Sequence, residues 1–468
     1  MPASPACRVT FWGAARTVTG SMHRVDVGSR SLLLDCGLFQ GRRAEAQRRN
    51  SHFPFEAKEI DAVLLSHAHI DHCGNLPTLL RRGYPGPIYC THATRDLLAI
   101  MLNDSARIQQ EDADYLNRKR SRGEPRIEPL YEARDVTRVL RACQSVPYDR
   151  PVEVLPGVRA TFLEAGHLLG SAMIHLEIDG TPVRKITFTG DLGRHGLPIL
   201  RDPAPLPPAD LVISESTYGG KTHAPAELLA DNLGEIVRRT FARGGKLLIP
   251  AFSLGRTQTI IYFLHQLFRD HKLPEVPVFV DSPLAAAATE IFRLHPECFD
   301  EETADLLARE PDLFGGGQIR YVRDVEESKR LNARPDPAVI IAASGMCEAG
   351  RILHHLKHNI EDPRTTILLV GFQAPDTLGR RIAERRDEVR LLDRTRRLRA
   401  EVVTLNGFSA HADHDDLLRY LGPLASTTRQ VRLVHGEVEP AEALATALRE
   451  RGFPDVAVPD RGDIVELA

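Results

Sequence analysis

Within six residues, His67, His69, Asp71 and His72 set out four side chains able to bind a metal ion. Imidazole nitrogen suits zinc and other borderline divalent cations, a carboxylate adds charge, and so tight a spacing lets one backbone turn fix several ligands before the ion arrives. Packing explains a lone histidine; it does not explain three together with an aspartate. Residues of the same chemistry recur at the ends of other short apolar runs: Asp35 after 30–34, His167 just beyond 160–164, Asp191 just beyond 185–189, Glu215 in 211–217 and His435 after 430–434. Asp35 could either ligate or hold the ligand loop by accepting hydrogen bonds from backbone N–H groups, and the second role is the one taken here.

The runs themselves, rich in Val, Leu and Ile and too short for helices, read as buried strands. Strands ending in a histidine or an acid imply one edge of a layered α/β sheet that carries a converging constellation, as expected where ligands bind beyond the carboxyl ends of strands. Between them, 94–120 reads as a long helix, broken by Gly123 and Pro125 and resumed over 130–143. From 218 to 399 the pattern changes to strand-then-helix units: 247–252 before 256–268, 278–281 before 285–294, 339–342 before 351–359, and 366–370 before 378–385. Strands apolar throughout and alternating with helices imply a parallel sheet covered on both faces. Since His435 belongs to the first constellation yet lies beyond these units, they form an insertion, giving domains 1–217, 218–399 and 400–468, the last completing the first.

Where the inserted strands hand over to helices stand Ser253 and Arg256, Ser344 and Gly345, and Thr377 and Arg380. Small hydroxyls, free helix N–H groups and an arginine make a phosphate site. None of these turns has a nucleotide-binding fingerprint, so no nucleotide cofactor is expected. His354, His355 and His358 are read as a polar helix face, and Cys73, beside the first cluster, as packing.

Composition bounds the rest. At 468 residues, with 42% hydrophobic and 26% charged residues and a net charge of −3, the chain is globular and long enough for two domains. Seven widely spaced cysteines without a Cys-x-x-Cys pair point to a reducing compartment. No signal-like start and no apolar run of about 18 residues occurs, so a cytoplasmic location and no membrane partner are expected. Arginine and lysine cluster at 42–43, 48–49, 118–126 and 380–399.

His67-x-His69-x-Asp71-His72, Gly166-His167, Gly190-Asp191, Ser214 to Gly219, Phe408 to Asp413 and Val434 to Glu437 resemble, in order and over nearly the whole chain, the motifs of the metallo-β-lactamase superfamily and of its β-CASP nucleases. The resemblance implies an αββα sandwich with an inserted parallel-sheet α/β domain. It implies two Zn2+, one held by His67, His69 and His167, the other by Asp71, His72 and His435, with Asp191 bridging them. Two ions about 3.5–4 Å apart can share a hydroxide and stabilise both oxygens of an in-line displacement at phosphorus. His411, oriented by Glu215, resembles the family's general acid. The implied activity is hydrolysis of single-stranded RNA in a cleft between the domains, leaving 3′-hydroxyl and 5′-phosphate ends, and a homodimer is compatible with it. Asp376 stands where family members often carry glycine; aspartate tolerates positive φ. On this resemblance the N-terminal RNA-binding domains of archaeal members are not expected here. Rival readings are a hydrolase of a small ester, thioester or lactam, a DNA-directed nuclease, and a catalytically silent RNA-binding scaffold.

Overall fold

The computed structural model describes residues 6–121, 125–310, 312–371, 373–374, 376–392 and 394–467. Gly123, read above as a helix breaker, Arg122 of the basic cluster, and Phe372 and Pro375 of the loop before Thr377 lie outside the described residues. The chain divides into two compact units, one made of 1–195, 202–222 and 411–468, the other of 196–201 and 223–410.

The first unit holds two seven-stranded sheets. One runs in the order Ile464–Leu467, Cys7–Phe11, His23–Val27, Arg30–Leu34, Ala62–Leu64, Ile88–Thr91, Cys143–Val146. The other runs Val456–Ala457, Gln430–Val434, Leu211–Glu215, Arg184–Phe188, Ala172–Ile178, Val158–Glu164, Val152–Leu155. Their side chains alternate between two environments, as a period of two requires. Leu32, Leu34, Ala62 and Leu64 join Phe162, Ile174, Leu211 and Ile213 in a core between the sheets. Leu33, Val63 and Leu65 face the other way, packing with Leu98 and Leu102 of the helix His92–Arg118 and with Val136 and Val139 of Ala133–Ala142. On the far side, Val212, Val431 and Leu433 pack with Leu417 and Leu421 of His414–Leu421 and with Leu444 and Leu448 of Val438–Glu450. Helix, sheet, sheet, helix is therefore the layering, and both faces of each sheet are apolar because both are covered.

The second unit is built on a six-stranded sheet in the order Ile319–Tyr321, Val278–Val280, Val339–Ala342, Leu247–Pro250, Thr366–Leu369, Glu401–Thr404. Every pairing in it is parallel. Helices such as Arg256–Arg269, Pro283–Leu294 and Ile352–Asn359 link successive strands, and a separate two-stranded ribbon, Glu388–Leu391 with Arg394–Arg397, follows the helix Leu378–Ala383. Because Glu401–Thr404 pairs with Thr366–Leu369, that strand joins this unit's sheet and residues 400–410 belong to this unit. Asp281, His355, Arg351 and Ser328 form a buried network here: His355 Nε2 donates to Asp281 (2.7 Å), Nδ1 meets Asn332 Oδ1 (2.9 Å), and Arg351 Nη1 donates to the other Asp281 oxygen (2.5 Å). His355 is thereby a structural residue.

Candidate metal centre

Strand pairing brings the scattered ligands to one edge of the first unit. Arg184–Phe188, Leu211–Glu215 and Gln430–Val434 run parallel and adjacent, with Phe188 beside Ile213 and Glu215 beside Val434, so Asp191, Glu215 and His435 emerge together. On the facing sheet, Ala62–Leu64 ends just before His67, and His69 starts the short helix Ile70–Cys73. Two backbone choices make the approach possible. His435 and Asp35 both have positive φ, 48° and 61°, which turns the chain sharply at the strand end. Gly37 lies so close to the ligand loop that a Cβ there would fall 1.6 Å from Asp71 O.

Side chains gather in two groups that share Asp191. In the first, His67 Nε2 lies 3.1 Å from His69 Nδ1, His167 Nε2 lies 3.3 Å from the same nitrogen, and both Nε2 atoms are 3.5 Å from Asp191 Oδ2. In the second, His72 Nε2 is 3.3 Å from Asp191 Oδ1, His435 Nδ1 is 3.6 Å from that oxygen, and His435 Nε2 is 3.4 Å from Asp71 Oδ2. Ligands about 2.0–2.1 Å from one ion at tetrahedral angles stand roughly 3.3 Å apart, so the spacing suits a metal. His72 Nε2 and Asp191 Oδ1 are also buried without a hydrogen bond. A cation would satisfy both.

Electrostatics agree with that donor set. Burial, and then the crowding of neighbouring imidazoles, pushes His67 and His167 well below the usual histidine range; burial lowers His69 to about 4 although Asp71 and Asp191 oppose it, so these rings are kept neutral with lone pairs available. Burial works against ionised Asp71 and Asp191, yet the surrounding histidines outweigh it, holding Asp71 at about 2 and Asp191 well below the ordinary carboxylate range. His72 is the exception: burial disfavours its charge, but Asp191 and Asp35 raise its pKa well above normal. A position that favours a proton this strongly between two carboxylates favours a metal cation for the same reason.

Asp35 stands behind the ligands. It accepts the Ser66 N–H (2.8 Å), the hydroxyls of Ser21 and Ser66 (3.0 Å each) and His72 Nδ1–H (2.7 Å), which fixes the His72 ring. The sequence reading missed three further supports. Ser66 Oγ lies 3.1 Å from His67 Nδ1; Thr217 Oγ1 lies 3.1 Å from His435 Nδ1 and donates to His435 O; Ser171 Oγ accepts the N–H groups of His167 and Leu168. Ser66 adjoins His67 in the sequence, which was the signal available there, but Thr217 and Ser171 do not adjoin the residues they support, and hydroxyls next to strand ends are too common to single out.

His411 and Glu215 form a separate pair. His411 Nδ1 is 3.1 Å from both Glu215 oxygens and 3.9 Å from Asp191 Oδ2, and Glu215, fully buried, also accepts the Leu192 N–H at 2.6 Å. Burial lowers the pKa of His411, but Glu215 and Asp191 overcome it and raise it to about 9. Asp191, Glu215 and His411 are near enough to one another to hold an ion. An imidazolium already neutralises Glu215, so this set reads as an ion pair.

The remaining sequence candidates lie in the second unit, at the carboxyl ends of neighbouring strands. Phe252, next to Ser253, packs on Gly345, and Gln373 Nε2 donates to Gly345 O (3.1 Å). Ser253 Oγ meets Ser282 Oγ (3.0 Å), Ser344 Oγ accepts the N–H groups of Glu348 and Ala349, and Arg256 opens the helix Arg256–Arg269. Thr377 caps the helix Leu378–Ala383 by accepting the Arg380 N–H, and Arg380 Nε donates to Glu384 (2.8 Å). Asp376 takes φ 65°, the conformation that a glycine would supply.

Comparison with known proteins follows the same division. The metallo-beta-lactamase superfamily model matches residues 17–224, a Beta-Casp domain 257–382, and a Zn-dependent metallo-hydrolase RNA specificity domain 395–459. Ribonuclease TTHA0252 of Thermus thermophilus is 40% identical over 445 residues, spanning 95% of this chain and 96% of the relative. The chain belongs to the β-CASP branch of the metallo-β-lactamase superfamily. Other relatives of this β-CASP protein are transcription termination factors FttA, from Methanosarcina mazei at 32% identity (95% of this chain, 69% of the relative) and from Methanocaldococcus jannaschii at 31% (98% and 72%). A solved structure of a protein of unknown function from Enterococcus faecalis V583 shares the fold, with a TM-score of 0.55 and 15% identity over 99% of this chain and 100% of that one. Membership in this superfamily implies a divalent metal, typically zinc, and the histidine and aspartate groups supply ligands for it. Among the described residues no helix is long and apolar enough to cross a membrane.

Proposed function

We propose that this β-CASP protein is a zinc-dependent ribonuclease that hydrolyses phosphodiester bonds of single-stranded RNA. The observation that carries the reading is the division of Asp191: one carboxylate oxygen faces His67 and His167, the other His72 and His435, while the Glu215-bound His411 stands beside them. In this reading His67, His69, His167 and Asp191 hold one zinc and Asp71, His72, His435 and Asp191 a second. Bound zinc supplies the Lewis acidity that makes water a nucleophile at neutral pH and offsets charge on the phosphoryl oxygens.

The chain's own groups do the rest. Asp191 and Asp71 stay ionised across neutral pH. His411 is positively charged there, its Nδ1–H directed at Glu215, and in this reading its Nε2–H delivers the proton to the departing 3′-oxygen. Glu215, fixed by the Leu192 N–H, keeps the ring in place and stabilises its charge. Products would then carry 3′-hydroxyl and 5′-phosphate ends. The loops at Ser253, Ser344 and Thr377 are proposed to hold the backbone. Ribonuclease TTHA0252, at 40% identity over almost its full length, supports the choice of RNA.

The test is direct. Zinc-loaded protein should cut end-labelled single-stranded RNA, and His411→Ala should cut it far more slowly. Failure of wild type to cut RNA while it cleaves single-stranded DNA or a chromogenic lactam would overturn the reading. Following product lengths on RNAs with 5′-triphosphate, 5′-monophosphate and 5′-hydroxyl ends distinguishes internal cutting from end-dependent digestion.

A further inference from the structure

Apart from Arg380, beside the Thr377 loop, the arginine run of 380–399 has no part in the sites described above. We propose that the exposed ribbon Glu388–Leu391 with Arg394–Arg397, together with an arginine-lined cavity at its base, is a second docking surface, which grips single-stranded RNA by its phosphates. The identity of the ligand rests on the ribonuclease reading.

Charge density is the first argument. Seven arginines against three acidic residues lie within 385–399, in a chain whose net charge is −3. The ribbon's construction is the second. Val389 and Leu391 are buried in the unit's core with Ile382 and Val402, so the alternate positions, Glu388 and Arg390, and their partners Arg397 and Thr395, face solvent. One face anchors the ribbon and the other displays cations.

Compensation is incomplete. Arg396 reaches Glu361 (3.1 Å) and Arg386 reaches Glu384 (2.9 Å), but among the described residues the ion-pair partner of Arg397 is an exposed Glu388 at 3.7 Å. Among the described residues Arg390 and Arg399, both exposed, have no ion-pair partner. Crowding like charges destabilises a surface unless something of opposite charge answers them. At the ribbon's base a cavity of about 200 Å³ is lined by Asp376, Arg380, Arg381, Glu384 and Arg386, with Arg381 Nε buried and without a hydrogen bond. That volume admits a phosphate group.

The partner is a polyanion rather than a protein. Leu392 is the one large exposed hydrophobic on the ribbon among the described residues, whereas protein interfaces centre on apolar and aromatic anchors. Arginine suits phosphate because its planar fork donates two parallel bonds.

The test uses the full zinc-loaded chain and a fluorescent single-stranded RNA of about 20 nucleotides with phosphorothioate linkages, which is cut slowly. Binding is followed by anisotropy between about 50 and 200 mM salt. The variant Arg390→Glu, Arg397→Glu, Arg399→Glu should bind on the order of tenfold more weakly, and its log–log salt slope should fall by about 2, since each phosphate neutralised contributes roughly 0.7. A control with the same charge change on the first unit, Arg134→Glu, Arg141→Glu, Arg150→Glu, should bind nearly as wild type. Turnover of a small aryl phosphodiester should be the same in all three proteins. Unchanged binding by the ribbon variant, or equal weakening by the control, overturns the proposal. A wild type that binds through the ribbon yet never cuts RNA overturns the proposed activity instead.

Discussion

The role of His411 can be separated from metal binding by changing what leaves. A positioned general acid contributes roughly 10²–10⁴-fold, and a 10³-fold effect is about 4 kcal/mol of transition-state stabilisation. In RNA the departing 3′-oxygen is a poor leaving group and needs a proton; in bis(p-nitrophenyl) phosphate the phenolate leaves without one. His411→Ala should therefore slow kcat on RNA by about 10³ and on the aryl ester by only a few-fold. Glu215→Gln keeps the shape but removes the charge that faces His411 Nδ1 at 3.1 Å through both oxygens, and about 10² should be lost on RNA. Because Glu215 acts through His411, the double variant should be no slower than His411→Ala within about threefold. Rates are measured at saturating substrate alongside zinc content by atomic absorption. Equal losses on both substrates would refute the acid role, and additive losses would refute the idea that Glu215 works through His411.

Thr217→Val removes the hydroxyl that orients His435, and metal affinity should fall about 10–100-fold in a competition with a chelating dye while the fold is retained. Chelation should abolish RNA cleavage and zinc should restore it; activity that survives metal depletion would contradict the proposed centre. Gly37→Ala must push the Asp71 backbone aside, so bound metal per chain should drop, as read by mass spectrometry of the native protein. Asp281 sits below the usual carboxylate range: burial opposes its charge, but His355, Ser328 and Arg351 outweigh it. Its folded pKa is depressed, so its contribution is present above the unfolded carboxylate pKa and is lost as pH falls through the folded one. Asp281→Asn should destabilise the second unit by about 3 kcal/mol at neutral pH in a denaturant melt, and the gap between the two proteins should narrow in acid.

The candidate ligands were legible because metal chemistry restricts residue type and because four of them, His67, His167, Asp191 and His435, follow apolar strands. Periodicity located the strands at 30–34, 211–215 and 430–434 and the parallel units of the insertion, where buried runs and helices alternate. It did not reveal His23–Val27, nor the closing strand Ile464–Leu467, whose alternating burial leaves only Val465 and Leu467 inside. The ribbon of 388–397 was hidden for a related reason: its arginines mask a two-residue apolar period. Asp35 could be read as a strand-end carboxylate, but its four hydrogen bonds depend on Ser21 and Ser66, which only the fold brings together. The position of Glu401–Thr404 in the inserted sheet was equally invisible, since a lone apolar pair, Val402 and Val403, does not say which sheet it joins.

The order in which the centre's parts are synthesised has a consequence for when it can form. His67 through Asp191 leave the ribosome early, but His411 and His435 follow the whole insertion, and the strand that closes the first sheet against Cys7–Phe11 is Ile464–Leu467. A chain grown only through the insertion thus still lacks both His411 and His435, so the residues proposed to form the centre are brought together only after the whole second unit has been synthesised.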